Sequence, residues 1–259
     1  MQNITIIIGF KLCNECLEYM SNYTQKNMSP TLAPLWQLDP INKLALWYSK
    51  RRLTACMNAE DSLDDVLDNI GTYFNRDGNY SGLGYYRQLP VQSTRGEITG
   101  IVERVREREP ETMLELGTHF GGSLYVWMRA LSSLETVVSI DLQFAPTIRL
   151  FETVARESSQ NLSIIQGNAN DIEIRNRAVK KAKTTEFDFI YIDADHSYEG
   201  IKKHFELYRP LVSSGGIICM NCIEDDNYEV KKFWNEIKSE YDCEKVSGER
   251  PGVSGLVYV

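Results

Sequence analysis

No apolar run in this sequence is long enough to cross a bilayer. The longest near the start, Ile4 to Phe10, falls far short of the roughly twenty residues that a spanning helix needs. It also lacks the basic flank and small-residue cleavage site of a secretory signal, so a soluble, cytoplasmic protein is expected. Basic charge is in deficit: 28 Lys and Arg face 36 Asp and Glu, a net charge of −8. Duplex nucleic acid and anionic membrane both require a basic face, so neither is expected as a partner. Cysteine is sparse, 6 in 259 residues, too few for a disulfide scaffold in a chain of this size. Two pairs, Cys13 with Cys16 and Cys219 with Cys222, have CxxC spacing. They stand about two hundred residues apart, unlike the compact spacing of zinc ribbons. Cys219 also sits in a Gly-Gly-Ile-Ile-Cys-Met run that reads as a buried strand, where cysteine serves as a small hydrophobe. A Gly-x-Gly-x-x-Gly fingerprint is missing after the first strand, which counts against a nicotinamide oxidoreductase.

What is present is an ordinary globular composition, 42% hydrophobic and 10% aromatic, with ample material for a core. The first ninety residues are rich in Asn, Tyr, Trp and Met and are interrupted by Pro30, Pro34 and Pro40. Helices are expected from about Ile41 to Met57 and from Ser62 to Phe74, the second on the spacing of Leu63, Val66, Leu67 and Ile70. A turn-rich loop, 75–82, follows. Residues 1–90 therefore read as a helical or irregular extension, a lid or a subunit contact, ahead of a domain over 91–259. Most of the extension's aromatics (among them Trp36, Trp47, Tyr48, Tyr73, Phe74, Tyr80, Tyr85 and Tyr86) are expected to fill core between helices.

From Ser93 the pattern becomes regular. Ile98, Ile101, Val102 and Val105 form the apolar stripe of a helix that ends before Pro110. Strands are then expected at Thr112–Leu116, Thr136–Ile140, Leu162–Ile165, Phe187–Ile192 and Gly216–Met220. Helices fall between them at Ser123–Leu131, Pro146–Glu157, Ile174–Ala182 and Tyr198–Leu211. A helix at Val230–Ser239 and strands at Cys243–Val246 and Gly255–Val259 close the chain. Such alternation predicts a mostly parallel sheet with helices on both faces, and ligands in such sheets bind beyond the carboxyl ends of the strands.

The strand ends carry the polar chemistry. After the first strand comes Glu115-Leu116-Gly117-Thr118-His119-Phe120-Gly121-Gly122-Ser123. Its glycines let backbone approach a ligand, and the following helix start offers unpaired N–H groups to an anion. Strand two ends in Asp141, 24 residues beyond Gly117. An acid there accepts from ribose hydroxyls, or simply caps the next helix. Strand three ends in Gly167-Asn168-Ala169-Asn170-Asp171, where an Asn serves an adenine edge or a turn. Strand four delivers Asp193-Ala194-Asp195-His196-Ser197-Tyr198, two carboxylates and an imidazole suited to proton abstraction or metal binding. Capping accounts for Asp195 or Ser197 but not for the whole cluster. His196 is the best general base of the three histidines; His119 and His204 are expected to be ordinary solvent-edge residues.

Glu115-Leu116-Gly117-Thr118 with Gly121-Gly122-Ser123, Asp141, and Tyr191-Ile192-Asp193-Ala194-Asp195-His196-Ser197-Tyr198-Glu199-Gly200 resemble class I S-adenosylmethionine-dependent methyltransferases. The likeness, over roughly Tyr85 to Val259, is to the branch of cephalosporin-hydroxylase-like and sugar O-methyltransferases. It implies a Rossmann-like seven-stranded sheet with one antiparallel strand. It also implies that Glu115, Gly117 and Ser123, with Thr118 and Gly122 in the same loop, hold the methionine part of S-adenosyl-L-methionine. Asp141 would hold the ribose, Asn168 and Ala169 would flank the adenine, and Gln92 would be a further neighbour. Asp193 would face the methyl-transfer site, with His196 or Asp195 taking a proton.

One position departs from the family. Relatives with a divalent metal end strand five in a His-Asp, Asp-Asp or Asp-Asn pair; this chain has Asn221-Cys222. Asp193 and Asn221 are the candidate ligands for Mg²⁺, with Glu224, Asp225 and Asp226 close by as substitutes. Losing a carboxylate and gaining a soft thiol both disfavour Mg²⁺. Two functions follow as expectations. One is O-methylation of a small hydroxylated acceptor such as a sugar or glycosylated natural product, by a cytoplasmic homodimer. The other is a catalytically impaired cofactor-binding fold acting as an assembly or regulatory subunit.

Overall fold

The computed structural model describes residues 47, 50–51, 53–60, 62–70, 91, 93–144, 146–248 and 252–259. The short β-rich runs pair as one sheet. β1 (Thr112–Leu116), β2 (Thr136–Asp141), β3 (Asn161–Gln166), β4 (Phe187–Ile192) and β5 (Val212–Met220) are parallel, and β6 (Asp242–Ser247) and β7 (Val253–Tyr258) complete it. The order is β3-β2-β1-β4-β5-β7-β6, with β7 antiparallel to both of its neighbours. The register puts Leu114 between Val138 and Ile190 at the sheet's centre.

Successive side chains on a strand face opposite ways, so the central strands feed two cores. Met113, Val137, Phe189, Tyr191 and Cys219 enter one; Leu114, Leu116, Val138, Ile140, Ile190, Ile192 and Met220 enter the other. The first core is covered by α1 (Leu63–Ile70), α2 (Arg95–Arg106), α3 (Gly122–Ala130) and α4 (Phe151–Glu157). The second is covered by α5 (Ile172–Ala182), α6 (Tyr198–Tyr208) and α7 (Val230–Ile237). Helix α2 shows why the pattern from Ser93 folds as read. Thr94 and Glu97 form a reciprocal capping box, and Ile98, Ile101, Val102 and Val105 are all buried.

Most element ends lie within one to three residues of expectation, and β5 and the helix expected from Pro146 differ more. β5 begins at Val212, not Gly216, because a register shift between Phe187 and Phe189 absorbs the Gly215-Gly216 pair, with Gly215 at φ 83°. The helix expected from Pro146 opens as a 3-10 turn, Pro146–Leu150, before α4. Residues 53–57 are helical; the remainder of the two early helices, the 75–82 loop and most of the named aromatics lie outside the described residues. Trp47 is described and is 56% exposed with Arg51 over its ring, so it does not fill core. The described part of the extension is built into the domain. Met57, Val66 and Leu67 share the first core, and the buried Glu60 carboxylate accepts from Arg129 Nε (2.6 Å) and the Tyr125 hydroxyl of α3. Among the described residues no helix is long and apolar enough to cross a membrane.

Candidate functional site

A cleft of about 460 Å³ opens beyond the carboxyl ends of β1, β2, β3 and β4, within the usual range for small-molecule sites. The loop after β1 forms its floor. Gly117 has φ +99°, and a Cβ there would lie 2.0 Å from the Asp193 carbonyl oxygen. Only glycine lets this loop lie against the end of β4. His119 also has positive φ, and its N–H donates to Asp141 Oδ2 at 2.7 Å. Gly121 starts α3 with no side-chain cap, and Gly122 and Ser123 border the cleft. The open helix start therefore presents N–H groups and its positive dipole end toward an anionic ligand group.

Glu115 lies beneath this wall. It is fully buried and accepts hydrogen bonds from the hydroxyls of Ser123 (2.8 Å) and Ser139 (2.5 Å); Ser139 in turn shares a hydrogen bond with Thr118. Burial pushes its carboxyl up to about 8 in spite of the two hydroxyl donors. Its connection to the cleft runs through Ser123, not through a face of its own.

Asp141 lines the cleft, and its two oxygens accept from His119 N and Gln143 N (3.0 Å). A carboxylate has about four lone-pair positions, so two donors leave room for ribose hydroxyls. Asn168 and Ala169 border the same space. The Asn168 side chain accepts from Asn170 N (2.9 Å) as a turn residue, and the Tyr208 hydroxyl holds the Ala169 carbonyl (2.9 Å). Gln92 lies outside the described residues.

The cluster after β4 divides into two parts. Ser197 caps α6 by accepting from Gly200 N, and the exposed Asp195 accepts from Ser197 N (3.0 Å) while packing on Gly200. Asp195 thus shapes the helix start at the rim. Asp193 and His196 form the chemical pair, with His196 Nε2 donating to Asp193 Oδ1 at 3.1 Å. Burial pushes the Asp193 carboxyl up, but the hydrogen bond and charge of His196, with Asn221, outweigh it and hold the group below its ordinary value. For His196, burial pulls down, while the bond to Asp193 and the charges of Asp193 and Asp195 lift it above 6.5. Its ring stacks on Tyr228, centroids 4.4 Å apart.

His204 is not a solvent-edge residue, whereas His119 is only partly buried. His204 is 1% exposed, borders the cleft and has no partner at Nδ1; burial takes its imidazole down to about 4. His119 also borders the cleft, and burial holds it below its ordinary value. The spacing of Ile201, His204, Phe205 and Tyr208 is that of an inward stripe, and it was the signal for His204. Tyr191, its hydroxyl 3.5 Å from Asp193 Oδ2, was likewise readable from its alternation with Phe189.

Behind Asp193 the chain is polar and buried. Asn221 Oδ1 accepts from Cys222 N (2.8 Å) and lies 3.4 Å from the Ser254 hydroxyl oxygen, and Nδ2 donates to Ser93 (3.5 Å). Ser254 donates to Glu97 at 2.6 Å, and burial raises the Glu97 carboxyl to about 7. The candidate pair Asp193 and Asn221 is thus brought together, but with the amide oxygen already accepting from the Cys222 N–H. Glu224 and Asp226 pair with Lys245 and Lys231, and Asp225 accepts from Asn227 N. Mg²⁺ requires an octahedron of oxygens, and these residues do not fit it.

A sheet of order β3-β2-β1-β4-β5-β7-β6, with a glycine loop after β1 and acids ending β2 and β4, defines a class: the class I methyltransferase fold. Residues 114–221 match a family model described as a methyltransferase domain. The matched segment runs from β1 to the end of β5 and carries the glycine loop, Asp141 and the Asp193–His196 pair. Similar solved structures include an O-methyltransferase from Bacillus cereus in complex with SAH, 20% identical, TM-score 0.52, covering 77% of this chain and 91% of that one. Another is the O-methyltransferase TomG from Streptomyces achromogenes, involved in tomaymycin synthesis and in complex with SAM. It is 20% identical, with TM-score 0.50, over 66% of this chain and 82% of that one. At this identity the likeness is one of fold. No curated protein matches the chain.

Proposed function

We propose that the chain transfers a methyl group from S-adenosyl-L-methionine to a hydroxyl oxygen of a small acceptor, a sugar or glycosylated natural product. The observation that carries this is the arrangement of one cleft: an open helix start and Asp141 on one side, the Asp193–His196 pair on the other. The residues suit the cofactor. The uncapped start of α3 offers N–H groups to an anionic group, and Asp141, with two backbone donors, keeps lone pairs for hydroxyls.

In this reading the α3 start and Ser123 bind the methionine carboxylate, Asp141 accepts from the ribose hydroxyls, and Asn168 and Ala169 flank the adenine. When bound, the cofactor supplies an electrophilic methyl carbon on a sulfonium. Asp193 Oδ2 orients the acceptor hydroxyl against it, with the Tyr191 hydroxyl steadying the carboxylate. The sulfonium would give up the methyl carbon and keep the electron pair, so this chain's task is to aim the hydroxyl oxygen and to take its proton. The hydroxyl proton passes to the Asp193–His196 pair. The impaired-subunit alternative gains no observation, since that pair is intact beside an open cleft. A small-molecule acceptor, a cytoplasmic setting and a homodimer belong to the same reading; the net charge of −8 supports the absence of a nucleic-acid partner.

Calorimetry with S-adenosylhomocysteine tests it. Binding is expected, and Asp141→Ala should weaken it roughly 10- to 100-fold, the worth of hydrogen bonds to a charged group. His196→Ala should leave that binding and lower turnover by about 10²-fold or more. Absence of heat with the intact chain would end this reading.

A further inference from the structure

We propose that Asp193, His196 and Cys222 form a binding site for a borderline-soft divalent cation of the zinc type, in place of a magnesium site. A carboxylate oxygen, an imidazole nitrogen and a thiol sulfur from these residues all lie within 4.8 Å of one another, and all three residues are partly buried. The carboxylate and imidazole are already 3.1 Å apart. Ligand atoms on a tetrahedron around Zn²⁺ sit roughly 3.3–3.8 Å apart, so an adjustment of about an ångström by the thiol completes the set.

The chemistry of the donors decides which cation. One oxygen, one nitrogen and one sulfur match Zn²⁺ or Co²⁺ and do not match Mg²⁺ or Ca²⁺. Three protein ligands leave a fourth position, and Asp193 and His196 border the cleft while Cys222 lies behind them. That is the form of an open site. The surroundings hold each ligand in place. The Tyr191 hydroxyl reaches Asp193 Oδ2, a backbone bond to Ala194 engages the His196 ring, and Tyr228 stacks on it. Outer contacts of this kind orient metal ligands. Cys222 is held by the bond from its N–H to Asn221 Oδ1 and adopts φ +61°, a left-handed conformation uncommon for a side-chain-bearing residue. The Asn221-Cys222 sequence then makes sense as one unit, in which the amide fixes the turn and the thiol is the ligand.

Binding replaces the proton between His196 and Asp193 with the cation and releases the thiol proton to solvent; no electron changes hands. The proposal does not rest on the methyl-transfer reading; the cation-loaded and the proton-accepting states of the Asp193–His196 pair exclude one another, so the loaded chain should not perform the proton transfer assigned to that pair.

Cobalt reports on it directly. The full chain, stripped by chelator, is titrated with Co²⁺ at neutral pH while S-adenosylhomocysteine binding is followed separately by calorimetry. One equivalent of Co²⁺ should bind with intense tetrahedral visible bands and a thiolate-to-cobalt charge-transfer band, and Zn²⁺ should displace it. Cys222→Ser should remove the charge-transfer band and weaken binding by more than about tenfold, since even outer partners are worth that much. S-adenosylhomocysteine binding should be unchanged, because Cys222 is not in the cleft wall. Asp193→Asn should weaken Co²⁺ while keeping the thiolate band, which covers the case of a Cys222 variant that does not fold. Failure of the intact chain to bind Co²⁺, persistence of the thiolate band in Cys222→Ser, or displacement by Mg²⁺ as readily as by Zn²⁺ would overturn the proposal. Loss of S-adenosylhomocysteine binding alone would strike the methyltransferase reading and leave this one standing.

Discussion

Replacing Glu115 with Gln isolates the cost of burying a carboxyl under the glycine loop. The group goes from an ordinary 4.5 in the unfolded chain to about 8 in the folded one, chiefly through burial. A folded value above the unfolded one means that the folded state binds the extra proton. Stability from this group is therefore full below pH 4.5 and is lost as pH rises through about 8. At about 1.4 kcal/mol for each pH unit between the two values, the loss reaches about 5 kcal/mol. That is a large share of the roughly 5–15 kcal/mol that holds a domain folded. Glutamine has nearly the same shape and keeps an acceptor for Ser123 or Ser139, while its amide donates to the other. The variant should lose this part of the pH dependence. It should match the parent near pH 5 and exceed it by several kcal/mol near pH 8.5. Urea unfolding at pH 5, 7 and 8.5, without ligand, measures this. Glu97, raised to about 7 by its own burial, contributes equally to both proteins and cancels in the comparison. A variant with the parent's pH slope, or one less stable at pH 8.5, would refute the argument.

Gly117→Ala should destabilise the domain by about 1–3 kcal/mol, the cost of a sparsely populated backbone conformation, or more, given the 2.0 Å approach of its Cβ to the Asp193 carbonyl. Thermal melting with and without S-adenosylhomocysteine should show a lower midpoint and a smaller ligand-induced rise; an unchanged midpoint would contradict the close approach. His204 has a folded value of about 4, below its ordinary 6.5, so its contribution is present above pH 6.5 and fades as pH falls toward 4. His204→Gln should flatten that acid limb of a stability–pH curve, and an unaltered limb would count against burial as its cause. Because His196 in the metal-free chain is lifted above 6.5 by Asp193, turnover of chelator-stripped protein that needs its neutral form should rise with pH through that raised value, and Asp193→Asn should move the rise to lower pH.

The alternation of short apolar runs with amphipathic stripes dictated the layered sheet, because strand and helix periods are local properties of the chain. It set β1 and β4 to the residue, and the glycines and acids that follow the strands were legible for the same reason: they lie next in sequence to elements whose type is clear. Gly117, Asp141 and Asp193 reach the cleft from those positions. What sequence could not decide was which side chains meet across elements. Glu115 faces the interior because Ser139 of β2 and Ser123 of α3 stand beside it, 24 and 8 residues away. His204 reaches the cleft from the middle of α6, and the Cys222 thiol comes within 4.8 Å of ligand atoms on Asp193 and His196 through the pairing of β5 with β4. Those neighbours are set by sheet order and helix rotation. Each is a sum of packing over many distant residues, and none is written in any single stretch of chain.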